Sequence, residues 1–278
     1  MFAGRKLLIA TKHQKETVIA PLFESEFAMH CFTSDAFDTD KLGAFSGEIT
    51  RKKNALTTLR NKCILGSKAT NCDLVVASEG SFGPHPTLFF AHADEELVML
   101  KDFKNDLEIV ASLISLETNF NGQVIHSEAE LSEFADKVKF PTHGIILKPT
   151  EKSRSNIKKD ITSKVTLINA YQQLKNDFTT VYAETDMRAM YNPTRMQVIE
   201  QTTKKLIEKI KTICPHCAVP GFDIVKYNPG LPCELCSLPT RSTLSAVYEC
   251  QKCAYQEVKM FPRGVQFEDP TYCDHCNP

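Results

Sequence analysis

Eight of the chain's eleven cysteines fall in four Cys-x-x-Cys pairs: Cys214/Cys217, Cys233/Cys236, Cys250/Cys253 and Cys273/Cys276. Two intervening residues form a tight turn that aims both sulfurs at one ion. Tetrahedral zinc takes four thiolates, so four pairs make two four-cysteine sites. Fifteen, thirteen and nineteen residues separate the pairs, enough for a hairpin or short loop each time. Sharing between sequential pairs closes the shortest loops and is the expected arrangement. Interleaved and nested sharing would use the same ligands. A closed four-thiolate site has no open position for water, so its role is structural.

A second group of residues could handle an anion or a hard cation. Glu79, Ser81 and His85 follow the strand-like run Asp73–Ser78, in the glycine-containing stretch Glu79-Gly80-Ser81-Phe82-Gly83-Pro84-His85-Pro86. Glu184, Asp186, Arg188 and Arg195 follow a second strand-like run, Thr180–Ala183. Two carboxylates one residue apart on extended chain point the same way and would hold Mg2+. The arginines would fork onto phosphate. Lys12, His13 and Lys15 follow the first apolar run, and Arg51 stands at the basic start of a helical segment, where anions are favoured.

These residues need a frame that gathers strand ends. Lys6–Thr11 reads as a buried strand, 14–27 as a helix and Met29–Phe32 as a strand, which together make a βαβ unit. A helix is expected from Ile49 to Ser67. A hairpin is expected from Glu96–Lys101 and Leu107–Leu116, joined at Lys104-Asn105-Asp106. Ser127 with Glu130 forms a capping box opening a helix to Val138. His143–Pro149 is a further strand, and 161–175 a helix. Asn192 before Pro193 caps a last helix whose apolar stripe is Met196, Ile199, Leu206, Ile210 and Ile213. The fold class is α/β: a mixed, mostly parallel sheet flanked by helices, with a C-terminal double zinc-ribbon module. The division is residues 1–212 for the ligand-binding domain and 213–278 for the ribbons.

A net charge of −1 over 278 residues gives no bulk attraction to nucleic acid or anionic lipid. No apolar run approaches a membrane span. The start of the chain does not read as a secretory signal. Cys31, Cys63 and Cys72 lie outside any Cys-x-x-Cys pair and read as buried thiols of a reducing compartment. The expected location is the cytoplasm.

Three resemblances follow from these residues. The stretch Tyr248-Glu249-Cys250-Gln251-Lys252-Cys253-Ala254-Tyr255 resembles a rubredoxin knuckle, which keeps iron open as the alternative to zinc. Ala10-Thr11-Lys12-His13-Gln14-Lys15, then Lys53-Asn54-Ala55 with Asn61-Lys62-Cys63, then Ala77-Ser78-Glu79-Gly80 distantly resemble the inosine/xanthosine triphosphate pyrophosphatases. That resemblance implies Lys15 on phosphate and Glu79 on the metal. It departs at Lys53, where that class has a metal carboxylate, with Glu48 the nearest substitute. Over nearly the whole chain, Ala77–Pro86, Glu184–Arg195 and the paired cysteines resemble an uncharacterised, mainly bacterial family, which implies no activity.

Two function classes result. The first is a metal-assisted hydrolase or ligand-binding protein for a phosphorylated small molecule, with a nucleotide the leading substrate class. Glu79, Glu184 and Asp186 would hold Mg2+, and His85 would carry the proton. Lys12, His13, Lys15, Arg51, Ser81, Arg188 and Arg195 would hold the ligand. The second is a non-enzymatic adaptor whose two-zinc tail binds a protein partner. Nucleic acid is disfavoured because lysines and arginines in the tail are offset by acids such as Asp223, Glu234 and Glu249.

Overall fold

The computed structural model describes residues 1–36 and 54–278. Arg51, Glu48 and Lys53, and the first residues expected in the second helix, lie outside the described residues. The chain divides into two compact units, Met1–Ile207 and Glu208–Pro278.

The first unit contains two sheets. β1 (Lys6–Ala10) is followed by α1 (Glu16–Phe27) and β2 (His30–Phe32). α2 (Ala55–Thr70) then leads to β3 (Leu74–Pro84), β4 (His92–Asp102) and β5 (Leu107–Ser115). These five strands are ordered β2-β1-β3-β4-β5. Parallel pairing is confined to β2-β1-β3, and β3-β4-β5 is an antiparallel meander. The connection through α1 moves one way along the sheet and that through α2 moves the other. Right-handed crossovers therefore put the two helices on opposite faces. Leu8, Ala10, Val75 and Ala77 pack with Leu59 and Cys63 of α2 on one face.

The first two helices end in recognisable caps. Asn54 caps α2 by accepting from the Thr57 amide at 2.8 Å, and Ala28 and Asn71 end α1 and α2 in the left-handed conformation. The largest departure from expectation is at residues 79–84. The stretch after Ser78 is expected as a loop at the strand end, yet β3 continues through Gly80, Gly83 and Pro84, paired residue for residue with β4.

The second sheet is antiparallel, with order β6-β9-β7-β8: β6 (Gly122–Ile125), β7 (Ile145–Lys148), β8 (Lys158–Ile161) and β9 (Val181–Thr185). Its core joins Ile125, Ile145, Leu147, Val181 and Ala183 to Leu131 and Phe134 of α3 (Glu128–Lys137) and to Leu167 and Leu174 of α4 (Lys164–Asp177). Ser127 caps α3 through the Glu130 amide. Ile161 ends β8 rather than opening α4, because the capping box that starts α4 is Ser163 with Thr166. α5 (Pro193–Lys211) begins with Asn192 Oδ1 accepting from the Arg195 amide at 3.0 Å. Among the described residues, no helix is long and apolar enough to cross a membrane.

The second unit is built on a meander of β10 (Asp223–Pro229), β11 (Thr243–Glu249) and β12 (Gln256–Met260). The Cys214/Cys217 knuckle precedes β10, Cys233/Cys236 lies between β10 and β11, Cys250/Cys253 lies between β11 and β12, and Cys273/Cys276 follows β12. Antiparallel strands return the chain to alternate ends of the sheet, so the first and third knuckles share one end and the second and fourth the other. Seven residues of strand separate those ends by about 20 Å.

Candidate functional site

All eight paired cysteines gather into two clusters, Cys214, Cys217, Cys250 and Cys253, and Cys233, Cys236, Cys273 and Cys276. In each, the four sulfurs lie within 4.8 Å of one another. The closest sulfurs across knuckles are 3.5 Å apart in the first cluster and 3.7 Å in the second. A zinc–sulfur bond of about 2.3 Å gives a tetrahedron edge of about 3.8 Å, so the donor sets fit one tetrahedral ion each. None of the eleven cysteines is in a disulfide. The sharing is interleaved, which corrects the sequential expectation. The meander brings alternate knuckles together, and this outweighs the entropy of closing a longer loop.

Each knuckle closes with the same hydrogen bond. The amides of Ala218, Ser237, Ala254 and Asn277 donate to the carbonyls of Cys214, Cys233, Cys250 and Cys273, all at 2.9 Å. Around the first cluster, Phe222 packs against Tyr248 and Tyr255, and His216 stacks on Tyr255 rather than joining the ligands. Each cluster can hold a metal ion.

The second candidate site is in the first unit, where β3 and β4 run on past the apolar core. Directly opposed residues of an antiparallel pair share a face. Ser78, Gly80 and Phe82 of β3 therefore stand beside Val98, Glu96 and Asp94 of β4. Glu79, Ser81 and Glu95 point to the other face, where Lys62 of α2 meets Glu79 at 2.6 Å and Ser81 donates to Glu95 at 3.2 Å. On the first face, Arg195 at the start of α5 pairs with Glu96 at 2.6 Å, both side chains fully buried. Its guanidinium lies 5.1 Å from the Phe82 ring centre and donates to the Met187 carbonyl. Gly80 makes this approach possible. A Cβ there would collide with Glu96 Oε1 and come within 2.7 Å of Arg195 Nη2.

Lys15, immediately before α1, is buried against the same face, and its ammonium donates to Ser78 Oγ at 3.0 Å. Among the described residues it has no carboxylate within ion-pair distance. Burial, then the charges of Arg195 and Lys62, push Lys15 down to about 7, while Glu96 and Glu79 pull the other way. Burial and the charges of Lys15, Arg195, Arg188 and Lys62 push His13 down to about 3, so its imidazole is neutral. Asp94 is 1% exposed, and among the described residues neither of its carboxylate oxygens has a hydrogen-bond partner. Burial and the neighbouring Glu96 push it up to about 8, against the pull of Arg195 and Lys15.

The two shifts have opposite consequences for stability. Asp94 is raised on folding, so its contribution is present below the ordinary carboxylate range and lost as pH rises through about 8. Lys15 is depressed, so its contribution is present above the ordinary lysine range and lost as pH falls through about 7. Without added divalent cation, Asp94→Asn should gain thermal stability over wild type as pH rises from about 5 to about 8. Melting curves across that range check this, and a constant difference would contradict the burial of an unpartnered carboxyl.

The other expected site residues are placed differently. Glu184 pairs with buried Lys148 at 2.7 Å. Asp186 receives the Arg188 guanidinium through both oxygens, and Arg188 also reaches Asp160 at 3.0 Å and lies over Tyr191. Each of these carboxylates is neutralised by a basic side chain. His85 stands at the tip of the β3–β4 hairpin, where its Nδ1 accepts from the amides of Thr87 and Leu88. Lys12 is exposed beside His13. Gln14, next in the chain, lines a groove of about 340 Å3 with Val18, Met190, Pro193 and Met196.

Sequence reasoning missed Lys62, Ser78, Asp94 and Glu96. The last two carried a signal, because they stand in period two with Val98 and Leu100, in-facing positions where a strand normally carries apolar residues.

A family model described as a domain of unknown function (DUF6671) matches residues 62–278. No curated protein matches the chain.

Proposed function

We propose, from the premise that this chain belongs to the DUF6671 family of unknown function, that its first unit binds a phosphorylated small molecule and its second is a structural module holding two zinc ions. A nucleotide is the leading ligand class and hydrolysis of its phosphoanhydride the leading reaction. The observation that supports this reading is Lys15. A buried ammonium held only by a neutral hydroxyl, in a cluster with Lys62, Arg188 and Arg195 around a neutral histidine, is arranged for an incoming anion. Lys12, His13 and Lys15 lie where β1 gives way to the N-terminus of α1, where a parallel sheet collects ligands and a helix favours negative charge. In this reading Glu79, Glu184 and Asp186 position Lys62, Lys148 and Arg188. The groove beside Gln14 takes the apolar part of the ligand.

A thermal-shift titration with pyrophosphate and nucleoside triphosphates, with and without Mg2+, tests the reading. A ligand at a hundredfold its Kd stabilises the folded state by about 2.7 kcal/mol. Lys15→Met should abolish that rise. Because the bound anion favours the protonated amine, binding at about pH 8 should take up a proton, measurable by calorimetry in two buffers. If no phosphorylated compound raises the melting temperature, the reading fails. The adaptor reading then leads, supported by the exposed apolar side chains of the second unit, among them Leu235, Tyr227 and Tyr272.

A further inference from the structure

We infer that Asp94 and Glu96 form a site for a hard divalent cation such as Mg2+ or Mn2+. They occupy positions i and i+2 of β4 and so share one face, with Val98 continuing that face into the core. Asp94 is 1% and Glu96 0% exposed. Arg195 takes one oxygen of Glu96, leaving Oε2 and both oxygens of Asp94 without a hydrogen-bond donor among the described residues. Three buried carboxylate oxygens without partners on adjacent in-facing positions are costly unless something answers them.

The hydrogen bonds of the nearby protein cations leave Asp94 aside. Lys15 is held by Ser78, and Arg195 by Glu96 and the Met187 carbonyl. An all-oxygen donor set selects a hard cation over zinc. Mg2+ characteristically takes one or two carboxylates and completes its shell with water and phosphate oxygens, which this pair allows. The cation also supplies a partner for Asp94, which has none among the described residues. The inference rests on the proposed phosphate ligand only for the oxygens that complete the shell.

The test is Mn2+ binding to the full-length protein with its cysteine sites loaded with zinc, followed by the loss of the free-ion electron paramagnetic resonance signal. Wild type should bind one Mn2+ per chain, displaced by Mg2+. Asp94→Asn, which keeps the shape of the side chain, should weaken binding at least tenfold, with an unchanged far-ultraviolet circular dichroism spectrum showing that it folds. Asp94→Ala should do the same and guards against a fault peculiar to the amide. Wild-type affinity in both variants, or no binding by wild type with or without pyrophosphate, would overturn the inference and leave Asp94 holding only a proton or a water. The pyrophosphate arm separates the two claims. Mn2+ binding that pyrophosphate does not tighten upholds the cation site and counts against the phosphate reading. A pyrophosphate-induced thermal shift without Mn2+ binding does the reverse.

Discussion

Pairs of cysteine substitutions should lose metal in a pattern that follows the interleaved sharing. Cys214→Ala and Cys250→Ala should each lose one equivalent, and the double variant should still retain the other. Cys214→Ala with Cys233→Ala should lose both. Sequential sharing requires the opposite result, so metal content per chain by elemental analysis decides between them. The expected effects are large. Structural zinc in small domains contributes apparent binding free energies of about 10–16 kcal/mol, and that binding energy is folding energy. The second unit has few buried apolar residues besides the cysteines: Phe222, Leu231 and Ala246 are among them. Stripping both ions should therefore abolish the β10–β12 sheet, visible as loss of amide protection across Asp223–Met260. Retention of a protected sheet in metal-free protein would contradict the metal-built module.

The second large effect concerns Arg195. Its side chain is among the largest fully buried ones in the chain and is paired with an equally buried Glu96 at 2.6 Å. Arg195→Met leaves a carboxylate in the interior without its cation, which costs about 3–5 kcal/mol. Glu96→Met leaves the guanidinium stranded and should cost a similar amount. The double replacement by methionine removes both charges together and should recover most of the loss, because replacing a buried pair by apolar groups is near neutral. The chain lacks tryptophan, so urea unfolding followed by circular dichroism is the measurement. Single variants within about 1 kcal/mol of wild type would show that solvent reaches the pair. Gly80 belongs to the same unit of structure. A side chain there would have to displace both partners at once.

The eight clustered cysteines were legible because Cys-x-x-Cys spacing is dictated locally by the turn that can aim two sulfurs at one ion. Their partnership was not, because it is decided by the direction of three strands in between. Loop entropy favours neighbours only slightly, and sheet pairing readily overrules it. The helix caps Ser127 and Asn192 were legible for the same local reason. Residues 79–84 misled because glycine and proline signal turns by default. Gly80 is present for another cause, the close approach of a guanidinium from more than a hundred residues away in sequence. The charged cluster was only half visible. Lys15 and Arg195 stood out at element ends, but what each faces depends on the register of β3 against β4. Glu184 and Asp186 stood out as a metal pair, and the partners that the fold brings them, Lys148 from afar and Arg188 locally, were not readable from that spacing.

The interleaving has a consequence for how the ribbons fill. Cys214 and Cys253 stand 39 positions apart in the chain, and Cys233 and Cys276 stand 43 apart. These two loops overlap between Cys233 and Cys253. Whichever ion arrives first fixes strands that the other also needs, so the second closes a shorter stretch of free chain than it would alone. Uptake of two ions should therefore be coupled, with the half-loaded form of the wild-type chain less populated than independent filling would give. A pair of sequential sites, each sealed within its own knuckles, would fill independently.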